Sequence, residues 1–230
     1  MPLTIHHLGA STSERLLWLC EELCIPYTLI PHRRSSRTLL APRELRSLHP
    51  QGTAPVIQDG DVVLAETAAC VEYIAQKHGG GRLFLSPSHA RYADFVYWFH
   101  WANGTLMPNI SRVMVLQMAG IRDAKHPMVK FAQDRLDKSL KALDDRLTAG
   151  NTWLAGGEEF TAADVMMVFP LTTGRYFTPF SLAKYPNILA YLKRVGEREA
   201  YRRAMSKGDP GLELELALGA EPPKRDLSKL

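Results

Sequence analysis

The chain has 230 residues, 46% of them hydrophobic, with a formal net charge of +4, enough apolar material for one large domain or two modest ones. No apolar run reaches the roughly 18–20 residues of a bilayer span, and no signal peptide precedes the first strand-like segment, so a soluble, intracellular chain is expected. The basic excess is too mild and too scattered for a nucleic-acid partner, and Cys20, Cys24 and Cys70 offer neither a disulfide framework nor a metal spacing.

Residues 3–8 are apolar and β-branched and predict a strand. Residues 14–23, ERLLWLCEEL, carry apolar side chains at helical spacing behind the candidate N-caps Ser11, Thr12 and Ser13. Cys20 and Cys24 are expected as packed thiols on one face of that helix. Pro26 stops the helix, and residues 27–30 predict a second strand. Arg33, Arg34, Arg37, Arg43 and Arg46 follow; such a run is expected to be mainly a solvated surface, with a possible share in attracting a small anion. Residues 42–48 predict a short helix. Residues 55–58 and 62–64 flank Asp59-Gly60-Asp61, a hairpin signal, and residues 66–77 predict a helix ended by Gly79-Gly80-Gly81. The order is βαβ, then α, then ββα.

Beyond residue 88 only helical periodicity is found: one long segment over 90–118, another over 128–147, and shorter ones from Ala162 and Pro186. Periodicity fades after Pro210. The expected organisation is an α/β domain over 1–82, an all-helical domain over 89–210 and an extended tail over 211–230.

Three loops carry chemistry. Ser11-Thr12-Ser13 sits at a helix N-terminus, where free N–H groups and the positive end of the dipole favour an anion or thiolate. His49-Pro50-Gln51-Gly52-Thr53-Ala54-Pro55 places a candidate cis-proline at the start of a strand, leaving the Ala54 backbone able to pair with a peptide-like ligand. Glu66-Thr67 opens a helix with groups suited to the two charges of an amino-acid end. Taken alone, the first and third loops read more readily as capping residues, and the second equally as a turn into an edge strand. Together, at the ends of one βαβ-α-ββα unit, they point to a site for a thiol peptide.

The run SxSxRLLWLCEELxIPY, the turn HPQGTAPVI, the helix start LAETAACVEYI and the segment YWFHWANGTLMP resemble the glutathione transferases, near the serine-type yeast, fungal and bacterial branch. The resemblance implies a thioredoxin-like N-terminal domain, an all-α C-terminal domain, a homodimer and glutathione as cosubstrate, with no metal. It assigns Ser11 to the glutathione sulfur, with Ser13 as a rival, and Gln51 and the Ala54-Pro55 backbone to the middle and glycyl portions. Glu66 and Thr67 would take the γ-glutamyl end. Thr53 stands where a basic residue is frequent, and Asn103 where an acid is frequent. A pocket for a small hydrophobic electrophile is expected between the domains, on the face of Asn103, Leu106, Ile110 and Val113. Phe160-Thr161-Ala162-Ala163-Asp164 reads as a capping box with Phe160 and Val165 as its staple, a folding element.

The implied activity is conjugation of glutathione to electrophiles in detoxification, with hydroperoxide reduction as a companion. A peroxidase or isomerase, and a non-catalytic carrier of hydrophobic ligands, are the alternatives. Ser228-Lys229-Leu230 reads as a peroxisomal address recognised by an import receptor, placing the chain in the peroxisome matrix rather than the general cytoplasm.

Overall fold

A computed structural model describes residues 2–35, 38–148 and 150–224. Arg37 and the tripeptide Ser228-Lys229-Leu230 lie outside the described residues. The chain divides into two compact units.

The first unit contains the described residues up to Phe84 and Val195–Leu214. Its strands β1 (Thr4–Leu8), β2 (Thr28–His32), β3 (Val56–Asp59) and β4 (Val62–Ala65) form one sheet in the order β2-β1-β3-β4. β1 runs parallel to β2 and antiparallel to β3, while β3 and β4 form the hairpin read from Asp59-Gly60-Asp61. Asp59 pairs with Val62 across it, and Gly60 takes a φ of +60°, the positive value that a tight hairpin loop requires. Helices α1 (Glu14–Leu23), α2 (Arg43–Arg46) and α3 (Thr67–Lys77) complete the expected order. Leu8, Leu45, Val56 and Ala65 are buried together, so the ends of β1, β3 and β4 share one apolar cluster beneath the loops.

Helix α1 is enclosed on more sides than one amphipathic stripe needs, because it packs against both α3 and α9 (Glu199–Gly208). Trp18 meets Tyr201 of α9 edge-on, with ring centroids 4.9 Å apart, a contact contributing about 0.5–1.5 kcal/mol beyond its burial. The charged face of α1 is also occupied. Glu22 binds the Arg198 guanidinium through two bonds of 2.6 and 2.7 Å, and Glu21 meets Arg203 at 3.0 Å and Lys207 at 2.5 Å. Burial pushes the Glu21 carboxyl up, but its bonds to Lys207, Arg203 and Tyr27 outweigh this and hold it below the ordinary value. Cys20 is buried as expected; Cys24 is not, because it caps the helix in a left-handed conformation and is exposed.

The second unit contains Leu85–Arg194 and residues 215–224. Its helices include α4 (Tyr92–Trp101), α5 (Met107–Met118), α6 (Pro127–Arg146) and α7 (Ala162–Leu171), followed by α8 (Pro186–Gly196), whose residues from Val195 on belong to the first unit. The single helix expected over 90–118 is broken by a π-helical turn at Ala102–Leu106. Pro108 is the reason: it has no N–H for the carbonyl four residues back, and the wider turn absorbs the missing bond. All ten residues of α7 are buried, as its apolar composition requires.

Residues beyond 210 are not wholly an extended tail. Leu214–Leu218 forms a short helix, α10, with Ala217 buried. The Arg175 guanidinium donates to the carbonyls of Ala217, Gly219, Ala220 and Glu221, tying this stretch to the second unit. Periodicity missed it because a buried cation organises it rather than an apolar stripe. The helical C-terminal part of the chain is therefore shared between the two units rather than following one linear boundary.

Candidate active site

The Ser11 loop lies between β1 and α1 in the first unit. Ser13, at the helix N-cap position, has helical backbone angles and makes no side-chain capping bond among the described residues. Its hydroxyl is turned inward instead. Ser13 Oγ accepts the Leu8 N–H at 3.2 Å and stands 2.9 Å from His7 Nδ1 and 2.6 Å from Ser11 Oγ. The Ser13 N–H in turn donates to Ser11 Oγ at 3.3 Å. Ser13 is completely enclosed, whereas Ser11 retains 7% of its surface.

Two distant side chains hold this loop. Arg34 donates from Nε to the Gly9 carbonyl at 2.8 Å and from Nη2 to the Ala10 carbonyl at 2.9 Å. Burial lowers its pKa, and the nearby Asp209 carboxylate opposes that shift. Asp209, following α9, accepts the Ala10 N–H at 2.8 Å. Ala10 itself has a φ of +49°, a conformation rare for a side chain other than glycine, and these bonds from both sides hold it there. Arg34 is thus a structural strut, not a member of the solvated run expected from the sequence; Arg33, Arg43 and Arg46 are exposed.

The three loops meet at Thr12. Its hydroxyl lies 3.5 Å from the Ala54 carbonyl, to which it donates, and receives the Thr67 Oγ1 proton at 3.1 Å. The Ala54 carbonyl thus accepts one long bond from within the protein. The Ala54–Pro55 peptide bond is cis, as the turn suggested. Gln51 and Thr53 are exposed beside it, and the Gln51 N–H donates to His49 Nδ1 at 3.2 Å. Glu66 is exposed and has a φ of +70°; Thr67 is buried at the start of α3. Ser11, Ala54 and Thr67 are drawn together through Thr12, while the Gln51, Thr53 and Glu66 side chains are open to solvent.

The residues expected to line a second pocket belong to the helical unit. Asn103 lies in the π-helical turn and is partly exposed. Leu106 is fully enclosed and Ile110 nearly so, which makes them part of that unit's core. Leu106 is therefore unsuited to contact a ligand; apolar residues at helical spacing more often face a core than a pocket. Val113 borders a cavity of about 410 Å³ that is also walled by Leu116, Ile121, Val129 and Phe177.

His7 and Asp209, which flank the Ser11 loop, carry no motif in the sequence, and Thr12 and Arg34 take roles there that their place in a capping run and a charge run does not specify. His7 Nε2 lies 3.1 Å from Asp209 Oδ2, off the axis of a hydrogen bond, and both atoms are buried without another partner. Gly208 permits this approach: a Cβ there would stand 2.8 Å from Leu17 Cδ2 and 3.1 Å from His7 Nε2. The only local signal was a glycine–aspartate pair at the end of a helix. Among the described residues no group of His, Cys, Asp and Glu is arranged to hold a metal, and no helix is long and apolar enough to cross a membrane.

Residues 10–77 match the glutathione S-transferase N-terminal domain, and residues 106–199 match the glutathione S-transferase C-terminal domain. Glutathione S-transferase 3 of Schizosaccharomyces pombe is 29% identical over 222 residues, spanning 89% of this chain and 87% of that protein. A solved glutathione S-transferase from Actinobacillus pleuropneumoniae aligns with a TM-score of 0.80 and 30% identity over 99% of this chain and 96% of its own. A theta-class glutathione S-transferase from Xanthomonas axonopodis, solved with glutathione bound, aligns with a TM-score of 0.67 and 25% identity over 89% of this chain and 97% of its own. With both of its domain types matched and its fold shared along nearly the whole length, the chain belongs to the glutathione S-transferase family.

Proposed function

We propose that this transferase conjugates the glutathione thiolate to hydrophobic electrophiles, with Ser11 as the hydroxyl that holds the sulfur. The observation that carries the reading is the convergence of the Ser11 loop, the Ala54 turn and the Thr67 helix start on one hydroxyl, that of Thr12. Glutathione bound in the theta-class relative supports the choice of peptide. Ser11 is favoured over Ser13 because the Ser13 hydroxyl is enclosed and engaged by Leu8, His7 and Ser11.

Chemically, the site would lower the cost of a thiolate by a directed hydroxyl and the positive end of α1. Exposed Gln51, Thr53 and Glu66 remain available to the peptide, together with the backbone at Ala54-Pro55 and Thr67. Asn103, Ile110 and Val113 are kept as candidates on the electrophile side. Hydroperoxide reduction is a second use of the same thiolate.

The test is glutathione-affinity chromatography followed by assay with a model haloarene and with cumene hydroperoxide. Ser11→Ala is expected to lower kcat/KM by about 100-fold, the usual cost of one preorganised donor, while glutathione is still retained. Full activity in Ser11→Ala with loss in Ser13→Ala would move the role to Ser13. Retention of glutathione without turnover in the wild-type chain would favour a carrier.

Two further proposals belong to this reading: a homodimer, checked by light scattering, and import into peroxisomes through Ser228-Lys229-Leu230. A fluorescent fusion ending in those residues should collect in peroxisomes, and diffuse cytoplasmic fluorescence would overturn the address.

A further inference from the structure

Ser11, Ser13, His7 and Asp209 form a continuous row. Ser11 Oγ is 2.6 Å from Ser13 Oγ, Ser13 Oγ is 2.9 Å from His7 Nδ1, and His7 Nε2 is 3.1 Å from Asp209 Oδ2. Each serine hydroxyl has one proton to give, and Ser13 has three acceptors for its own: Ser11 Oγ, His7 Nδ1 and, at the longer distance of 3.5 Å, the Leu8 carbonyl. The two short contacts are both satisfied when the hydroxyls point the same way along the row. The direction is decided at its inner end. If His7 Nδ1 carries no proton, Ser13 donates to it and Ser11 donates to Ser13, leaving Ser11 able only to accept from a thiol. If Nδ1 is protonated, it donates to Ser13, Ser13 donates to Ser11, and the Ser11 proton is free for a thiolate.

The Asp209 carboxylate restricts the choice further. A negative oxygen 3.1 Å from Nε2 favours the form with a proton on Nε2. A proton on Nδ1 as well then makes His7 an imidazolium, whose charge Asp209 faces. We propose that His7 takes up the proton released by the glutathione thiol, passed through Ser11 and Ser13, and that Asp209 positions His7 for this role. In the balanced step the S–H bond breaks and its electron pair stays on sulfur. Its proton joins Ser11 as the Ser11 proton moves to Ser13, and the Ser13 proton moves to His7 Nδ1. Thiol and neutral imidazole become thiolate and imidazolium, with no change in net charge. The proposal rests on the assignment of the sulfur to Ser11.

Asp209 is held against His7 from outside the Ser11 loop. Asp209 is delivered by α9, which Glu21 and Glu22 anchor to α1. A cavity of about 470 Å³ bordered by His7 and Asp209 also receives His32 and Arg33 from the β2 side and Lys207 from α9. Lys207 is engaged by Glu21, and Arg34, near Asp209, by backbone carbonyls. Asp209 is the carboxylate in direct contact with the imidazole.

The experiment counts protons against thiolate. The full chain is mixed with glutathione near neutral pH, the thiolate is followed by its ultraviolet absorption, and released protons are followed with an indicator dye. The wild-type chain is expected to release well under about half a proton per thiolate formed, because His7 retains it. His7→Asn keeps an amide at the Nδ1 position but cannot be protonated, and should release about one per thiolate. Asp209→Asn, which can retain the bond to Ala10, should do the same because its amide favours the tautomer with Nδ1 already protonated. Ser13→Ala, which interrupts the row, also raises the count toward one and carries the test if His7→Asn does not fold. Equal proton counts in the wild type and these variants would overturn the relay. Thiolate absorption unchanged in Ser11→Ala would instead overturn the Ser11 assignment.

Discussion

Asp164 in the helical unit and Asp209 in the first unit are both buried carboxylates at helix ends, and they differ in the reach of their partners. Asp164 accepts the Leu154 N–H at 3.0 Å, the Thr161 N–H at 3.0 Å and the Thr161 hydroxyl at 3.3 Å from within ten residues, and the more distant Tyr191 hydroxyl adds to them in favouring the ionised form. Asp209 accepts the N–H of Ala10 from 199 residues away and faces His7 with its other oxygen. A carboxylate with local donors closes a helix start and stabilises the fold around it. One with remote donors fixes the shape of a loop, and here the loop carries the proposed nucleophile-binding hydroxyl.

The largest expected effect tests that division. Asp164→Ala leaves the Leu154 and Thr161 N–H groups without their acceptor and should lower unfolding free energy by about 3 kcal/mol, measured by urea titration. Asp209→Ala should cost less stability and more activity. Equal stability losses with equal activities would erase the distinction between a folding carboxylate and a positioning one.

The next effect is a pH dependence. Burial raises Asp164 to about 6, above its ordinary 3.8, despite the bonds that favour its ionised form. Its contribution is therefore full below about pH 4 and is lost as pH rises through about 6. The difference in unfolding free energy between wild type and Asp164→Asn should fall by about 2 kcal/mol across that window. A flat difference would mean that the local donors fully compensate burial.

Gly208→Ala sharpens the other side of the comparison. The added methyl crowds Leu17 and His7, while alanine favours the helix, so a net loss of about 1 kcal/mol is expected. Thermal melting measures it, and transferase activity should fall more than stability because Asp209 moves from the loop. The smallest effect is at Glu21→Gln, about 0.5 kcal/mol at neutral pH because its cationic partners are half exposed. Its sign is opposite to that of Asp164. The Glu21 carboxyl is held below its ordinary value, so its contribution is present above that value and disappears as acid protonates it. A Glu21→Gln difference that grows in acid would contradict the docking of α9 through this residue.

Much of this was legible from short-range chemistry. The hairpin at Asp59-Gly60-Asp61, the cis bond before Pro55 and the capping box of Thr161 and Asp164 each follow from residues a few positions apart. The π-helical turn was not, although Pro108 announced a disturbed helix: a proline specifies the missing donor but not how the chain absorbs it. Arg34 reads from sequence as one of a solvated run because a charge run gives no sign of which guanidinium will find carbonyls to bind. Leu106 reads as a ligand contact in sequence and is core in the structure, because helical spacing shows that a face is apolar and not what covers it.

By itself the sequence determined the element order, the helical character of the second half, and three loops whose residue types suit a thiol peptide. Periodicity, turn residues and capping pairs act over a few residues, so they can be read without knowing the rest of the chain. Tertiary structure alone decided that α9 returns to the first unit, that Thr12 joins the loops, and that Asp209 stands behind His7. The last of these depends on the close packing of α1 against α9, with the glycine at 208 against His7. Packing of this kind joins residues that no local pattern relates.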